Sequence, residues 1–204
     1  RKAEASAIAA KLSSTQTAVG YHADLRLASL AMDKGDWNAA SAHLGKAEAS
    51  AGQDPAVLAA RAGWYEAQGQ WSGAQAVYEK LLRAEARSGL AANGLAWSLA
   101  MQGRFADAKR YAAMAVQESP KNLNYQDTAA WIELKAGGKV AALNVFRQLI
   151  DQERGNAAFH YHYVEALLAN QSAEAAREFA KAKAKGPAPA ECRDLETRLS
   201  AQSR

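Results

Sequence analysis

The sequence predicts an all-α protein built as an array of helix–turn–helix repeats, and three observations lead to this prediction. Glycine recurs at a fixed interval of 34 residues, at Gly35, Gly69, Gly103 and Gly137. An alanine follows each glycine five residues later, at Ala40, Ala74, Ala108 and Ala142. Hydrophobic residues make up 49% of the 204 residues, and many of them are alanine, the strongest helix former. A period of this length is typical of repeat proteins, whose neighbouring repeats bury each other's apolar faces.

The segment before the first repeat is expected to form a helix over residues 1–20. Residues 2–17 are rich in alanine. Two interpretations stay open, because such a helix is either the second helix of a truncated earlier repeat or an N-terminal cap. Since the chain begins at Arg1 and not at methionine, we expect it to be a processed product or a piece of a longer protein.

The second repeat illustrates how each copy is expected to fold. Asp54 is a typical N-cap residue, and Pro55 follows it at the first helical position, where proline costs little. The helix is expected to cover residues 56–68 and to end at Gly69, because glycine tolerates a left-handed backbone. A second helix over residues 72–87 follows. Its buried face is expected to contain Ala74, Tyr78 and Leu81.

The fifth repeat keeps the pattern with one residue missing, since its turn is shortened to Asn170-Gln171. It retains the spacing of alanine, aromatic residue and alanine at Ala175, Phe179 and Ala182. Beyond it, residues 188–204 are expected to form a charged helix that caps the exposed face of the last repeat.

These residues resemble the tetratricopeptide repeat, whose 34-residue outline is an aromatic residue, Leu-Gly, Tyr, then Ala, Phe and Pro. The expected Leu-Gly is replaced by pairs such as Leu27-Ala28 and Leu95-Ala96, and proline ends the third and fifth copies at Pro120 and Pro187. The resemblance implies a right-handed α-solenoid over residues 21–187. The five repeats would occupy residues 21–54, 55–88, 89–122, 123–155 and 156–187.

Two short segments also resemble a narrower group of proteins. Residues 127–131 (Asp-Thr-Ala-Ala-Trp) and 160–162 (His-Tyr-His) are similar to the last repeats of bacterial envelope-assembly proteins. This group includes lipoproteins associated with exopolysaccharide export. The resemblance does not decide the location of the protein. It is expected to be either cytoplasmic or in the bacterial periplasm or envelope.

The resemblance to tetratricopeptide repeats implies that the first helix of each copy lines a concave groove that binds a partner's peptide or helix. The residues that it assigns to this groove are Leu25, Arg26, Asn93, Trp97, Asp127, Trp131, Tyr161, His162 and Glu165. Small residues at Ala59, Ala60, Gly63 and Gly94 are expected to leave room for a ligand. Trp97 and Trp131 have two interpretations, as an aromatic shelf for a partner or as packing between neighbouring helices.

The same positions indicate the chemistry of the partner. A clamp of Lys, Arg and Asn for a terminal carboxylate is disfavoured, because only Arg26 and Asn93 are suitable and Asp127 is negative. With Glu165, Tyr161 and two tryptophans, the groove is expected to suit a partner of apolar and partly basic character.

No catalytic, cofactor-binding or metal-binding motif is present, so we expect no enzyme and no cofactor. His160 and His162 are two residues apart on a helix, so they cannot chelate one ion together. Cys192 is expected to be a half-buried thiol in the capping helix. The net charge is only +4, from 25 Lys and Arg against 21 Asp and Glu, and Lys181, Lys183 and Lys185 are expected to be solvated. Nucleic-acid binding is therefore not expected, and no apolar run is long enough to span a bilayer.

The predicted function is non-catalytic protein–protein interaction, as an adaptor or assembly scaffold. Two alternatives stay open. One is a self-associating structural module, in which the ends of the array stack copies together. The other is a regulatory segment of a larger protein, such as an envelope protease or a polysaccharide-export protein.

Overall fold

The computed structural model describes residues 18–202, and over this range the protein is all-α, as predicted. The expected helix at residues 1–20 lies almost entirely outside the described residues. A short 3₁₀ helix, Ala190–Cys192, lies between the last two α-helices. The α-helices are α1 (Ala18–Asp33), α2 (Trp37–Ala51), α3 (Pro55–Ala67), α4 (Trp71–Ala84), α5 (Gly89–Met101), α6 (Phe105–Glu118), α7 (Leu123–Lys135), α8 (Lys139–Gln152), α9 (Ala157–Ala169), α10 (Ala175–Lys185) and α11 (Leu195–Gln202).

Polar side chains cap the first helices of the second to fifth repeats. The Asp54 carboxylate accepts a hydrogen bond from the Ala56 backbone N–H at 2.8 Å, and Pro55 occupies the first turn, as predicted. Ser88, Asn122 and Asn156 accept from backbone N–H groups in the same way at the starts of α5, α7 and α9. Each cap satisfies a donor that the first helical turn leaves unpaired.

The glycines of the 34-residue period end the first helix of each of the first four repeats. Gly35, Gly69, Gly103 and Gly137 have φ values of 73°, 68°, 77° and 101°. These values lie in the left-handed region that glycine adopts without a steric penalty. In the shortened fifth repeat Gln171 takes this conformation instead, with φ of 56°.

The alanines that follow the glycines form the closest packing positions. Ala40, Ala74, Ala108 and Ala142 are each 0% exposed. The positions four residues later are also buried, and they hold Leu44, Tyr78, Ala112 and Phe146. The fifth repeat differs, because Phe179 is only half-buried and Glu178 is buried instead. The Phe179 ring packs edge-on against Tyr161 at 6.0 Å, and the Glu178 carboxylate accepts a hydrogen bond from Lys181 at 2.7 Å.

The chain divides into two compact units, one ending at Gln102 and the other beginning at Gly103. In the first unit each helix from α1 to α5 packs on the next, and α1 also contacts α3. In the second unit the helices from α6 to α10 pack in the same way, and α7 also contacts α9. The first helices α1 and α3 therefore lie side by side in the first unit, as α7 and α9 do in the second. The repeat boundaries given above remain those proposed from the sequence.

Among residues 18–202, no helix is both long enough and apolar enough to cross a membrane.

Candidate functional site

The predicted groove residues fall into two groups with different exposure. In the first unit, Leu25, Asn93 and Trp97 are half-buried and Arg26 is exposed. In the second unit all five predicted residues are buried. These are Asp127, Trp131, Tyr161, His162 and Glu165, with exposures between 2% and 7%.

In the first unit, α5 presents an apolar residue that the sequence analysis did not assign to the groove. Leu90 is 51% exposed and lies three residues before Asn93 and seven before Trp97. This spacing places the three side chains on one face of the helix. The signal was present in the sequence as an apolar residue in register with the two predicted ones. We call Leu90, Asn93 and Trp97 the α5 stripe.

Asn93 lies in the middle of the α5 stripe with an unsatisfied acceptor. Its side-chain Oδ1 is buried and has no hydrogen-bond partner among the described residues. A buried polar atom of this kind is costly unless a ligand or water supplies a donor. This unsatisfied acceptor belongs to a residue that lies between two apolar residues of the α5 stripe.

The small residues expected to leave room for a ligand differ from one another. A Cβ added at Gly63 on α3 would meet no atom within 4 Å, so this position is open. A Cβ added at Gly94 would lie 2.1 Å from the ring of Tyr78. The expectation of free space at Gly94 is wrong, because a buried aromatic ring of the same unit already fills it.

In the second unit, His162 lies between two carboxylates. Its Nδ1 is 2.9 Å from both side-chain oxygens of Asp127 on α7. Its Nε2 is 3.1 Å from Oε1 of Glu191 in the 3₁₀ helix. The rings of Phe146 and Trp131 lie at centroid distances of 5.7 Å and 6.3 Å from the imidazole. The imidazole thus links α9 both to α7 and to the C-terminal segment.

Glu165 forms a second polar junction one turn further along α9. Trp131 Nε1 donates to Oε2 of Glu165 at 3.0 Å, and Arg198 Nη1 on α11 donates to Oε1 at 2.9 Å. Lys135 Nζ also donates to Oε1. The Cys192 thiol also donates to Oε2, at 4.0 Å. The carboxylate is 2% exposed, so these four donors replace the water that it has lost.

The pKa values of this cluster follow from its charges. Burial on its own lowers the pKa of His162, but the negative charge of Asp127 and hydrogen bonds with Asp127, Cys192 and Glu191 raise it well above its ordinary value. Burial raises the pKa of Glu165, and its hydrogen bonds with Lys135 and Arg198 outweigh this, leaving the pKa lowered. A protonated His162 donates from both ring nitrogens and balances the charge of the cluster.

Cys192 lies beside this cluster but is poorly suited to act as a nucleophile. Its side chain is buried, with 1% exposure, rather than half-buried as expected. Burial raises the pKa of the thiol, and hydrogen bonding to His162 only partly offsets this. A nucleophilic cysteine needs an accessible thiolate. Within the described part of the chain, no group of three His, Cys, Asp or Glu side chains is arranged to hold a metal ion.

The buried residues of the second unit are covered by the C-terminal segment of their own chain. Tyr161 donates its hydroxyl to the carbonyl of Gly186 at 3.0 Å. Glu191 and Arg198 in the same segment bind His162 and Glu165 as described above. The sequence indicated a charged cap here, but it did not indicate that the cap's charged residues bind the predicted groove residues. Whether those residues also bind a partner stays a prediction.

The family model of the tetratricopeptide repeat matches residues 65–122 and 128–189. No curated protein matches the sequence.

Solved structures of tetratricopeptide repeat proteins are similar to the chain. One from Parabacteroides merdae has a TM-score of 0.75 and 16% identity, covering 92% of this chain and 74% of its own. One from Thermus thermophilus has a TM-score of 0.74 and 18% identity, covering 90% and 98%. A third, YrrB, described as having an unusual peptide-binding site, has a TM-score of 0.60 and 19% identity, covering 93% of both chains. At these identities the likeness concerns the fold.

Proposed function

The chain belongs to the tetratricopeptide repeat family, and on this premise we propose that it is a non-catalytic adaptor that binds a segment of a partner protein along the first helices of its first unit. Repeats of this family are in general scaffolds for protein interaction. The finer proposal concerns where the partner binds and what kind of segment it presents.

The observation that carries the proposal is the α5 stripe. Leu90 and Trp97 offer apolar surface on either side of Asn93, whose Oδ1 has no hydrogen-bond donor among the described residues. A peptide backbone supplies an N–H donor at regular intervals, with side chains on either side of it. Tryptophan in an interface is a frequent hot spot. YrrB, the similar protein with a described peptide-binding site, supports the same interpretation.

The second unit is the weaker candidate for the partner-binding site. Asp127 and Glu165 are held by His162, Lys135 and Arg198 of the same chain. A partly basic partner was expected because of these two carboxylates, but both are already paired with cationic side chains of the same chain. In the first unit the exposed Arg26 favours a partner that is apolar and carries some negative charge.

The experiment is an affinity capture from a lysate of the source organism, followed by a measured Kd for the captured partner. Trp97→Ala is expected to weaken binding about tenfold or more, as for a central aromatic contact. Asn93→Ala is expected to weaken it about fivefold, the value of one hydrogen bond of about 1 kcal/mol.

The matched control is Val140→Ala, which removes an exposed apolar side chain from a second helix of the other unit. Circular dichroism of each variant checks that the helices are intact. Equal affinity of Trp97→Ala and the parent would move the binding site away from the α5 stripe.

We further propose a role in the assembly of the bacterial envelope. This proposal is supported only by the sequence resemblance at residues 127–131 and 160–162. Fractionation of the source cells tests it. A tagged full-length protein is expected in the periplasmic or membrane fraction, and recovery solely from the cytoplasm would contradict an envelope role.

A further inference from the structure

The second unit contains a cleft of ≈ 440 Å³ between α8, α9 and α10. It is separate from the α5 stripe, and the buried cluster around His162 does not line it. Ile150 and Ala184 give it apolar surface, and His160 lies against it with 6% exposure. A volume of this size is in the range of clefts that hold small ligands or short peptide segments.

His160, which lines this cleft, has a buried ring nitrogen without a hydrogen-bond partner among the described residues. Its Nε2 lies 3.1 Å from the carbonyl oxygen of Arg154, which can only accept, so Nε2 carries the hydrogen. Burial lowers the pKa of His160, so its neutral form is favoured and Nδ1 holds a lone pair. No described residue hydrogen-bonds to this Nδ1. A ligand with an N–H or O–H group would supply the missing donor.

The charged residues at the rim divide into paired and unpaired groups. Glu178 is bound by Lys181 at 2.7 Å and by Arg177 at 3.5 Å. By contrast, the side chains of Arg154 and Lys185 form no ion pair with another described residue. Among residues 18–202, the rim therefore offers two cations without an ion-pair partner, which favour an anionic group on the ligand.

One carboxylate at the rim, Asp151, further limits which chemical groups the ligand can carry. It is exposed, and no described residue forms an ion pair with it. A bare anion would be repelled by Asp151, whereas a peptide backbone offers N–H groups to it and to His160. The polar groups of the cleft thus call for a carboxylate and N–H donors on the same molecule.

We propose that this cleft binds a short acidic peptide segment, with its side-chain carboxylate on Arg154 and Lys185 and its backbone N–H groups on His160 and Asp151. The cleft would be a second docking site, independent of the α5 stripe.

The test is calorimetric titration of the full chain with a blocked peptide of alternating glycine and glutamate. A matched peptide with glutamine in place of glutamate, and inorganic phosphate, are titrated in parallel. We expect the glutamate peptide to bind at least about tenfold more tightly than the glutamine peptide, because charge-assisted hydrogen bonds are the stronger ones. Phosphate is expected to bind more weakly than the glutamate peptide.

Two variants separate the cleft from a general effect of charge. Arg154→Gln with Lys185→Gln is expected to weaken the glutamate peptide about tenfold. Lys183→Gln removes one positive charge from α10, the helix that carries Lys185. Lys183 pairs with Glu196 and does not line the cleft, so binding should stay within roughly twofold. Arg154, Lys183 and Lys185 are all exposed, so these substitutions should not affect folding.

The ¹⁵N resonance of His160 Nδ1 provides a second measurement. This resonance is expected to shift on addition of the glutamate peptide, because the shielding of the nitrogen nucleus changes when its lone pair accepts a hydrogen bond. The proposal would be overturned if the two peptides bound with equal affinity or if phosphate alone bound. It would also be overturned if Lys183→Gln lost as much affinity for the glutamate peptide as Arg154→Gln with Lys185→Gln. Failure of the glutamate peptide to bind would also overturn it and would leave the α5 stripe proposal intact.

Discussion

Nδ1 of His162 lies 2.9 Å from both carboxylate oxygens of Asp127, in a part of the second unit where both side chains are buried. Because Nε2 faces the carboxylate of Glu191, the imidazole is held on both sides by negative charge. The pair comes from equivalent regions of successive repeats. It therefore ties two repeats together and, through Glu191, attaches the C-terminal segment to them.

The first prediction concerns the pH dependence of stability. The folded pKa of His162 is raised, so its contribution is fully present below the unfolded value of about 6.5 and is lost as pH rises through the folded pKa. The lowered pKa values of Glu165 and Glu191 act in the opposite direction. Their contribution is present above about pH 4.3 and is lost as pH falls through the folded values.

Urea unfolding at a series of pH values measures this dependence. The free energy of unfolding of the parent is expected to decline above about pH 6.5. His162→Gln is expected to be less stable and to lack this part of the decline. The same alkaline slope in both proteins would show that His162 is not the group responsible.

The second prediction concerns the link between α11 and α9. Arg198→Met removes a donor from the buried carboxylate of Glu165, and Lys135 and Trp131 remain to hold it. We expect the free energy of unfolding to fall by about 2 kcal/mol, the value for a hydrogen bond to a buried charged group. Chemical denaturation monitored by circular dichroism measures the change.

Lys183→Met is the control, since its partner Glu196 is exposed. An exposed pair contributes little, so the change should stay within about 0.5 kcal/mol. If both variants lose the same stability, the buried position of Glu165 does not strengthen its ion pair.

The third prediction compares two glycines that lie in equivalent first helices. Gly94→Ala places a methyl group against the buried ring of Tyr78 and should cost about 1–3 kcal/mol of overpacking. Gly63→Ala meets open space and should stabilise by about 0.5–1 kcal/mol, because alanine has the higher helix propensity. Thermal unfolding measures both changes, and we expect a lower Tm for Gly94→Ala and a higher Tm for Gly63→Ala. A loss of stability in both would mean that space around Gly63 is also restricted.

The fold was predictable because its determinants are local and periodic. The spacing from Gly35 to Gly137 specifies where first helices end, and Ala40 and its equivalents specify where second helices approach them. The structure confirms the all-α fold and these helix ends. Prediction from a repeat succeeds here because every copy has the same neighbours.

The surroundings of the site residues were less predictable, because they depend on contacts between distant parts of the chain. Gly63 and Gly94 are the same residue type, and only the position of Tyr78 distinguishes them. His162 was correctly placed on a first helix, but Glu191 and Arg198 reach α9 from a segment that follows the last repeat. Leu90 is not one of the groove positions that the family resemblance implies, although it is an exposed apolar residue in register with Asn93 and Trp97.

Photocrosslinking in the source cells tests whether a partner binds along the α5 stripe. Benzoylphenylalanine is incorporated in place of Leu90, which is 51% exposed on the stripe, or in place of Val140, which is 66% exposed on a second helix of the other unit. We predict a discrete adduct with a partner protein from position 90 and none of that mass from position 140. An adduct from position 140 alone, or the same adducts from both positions, would contradict the claim.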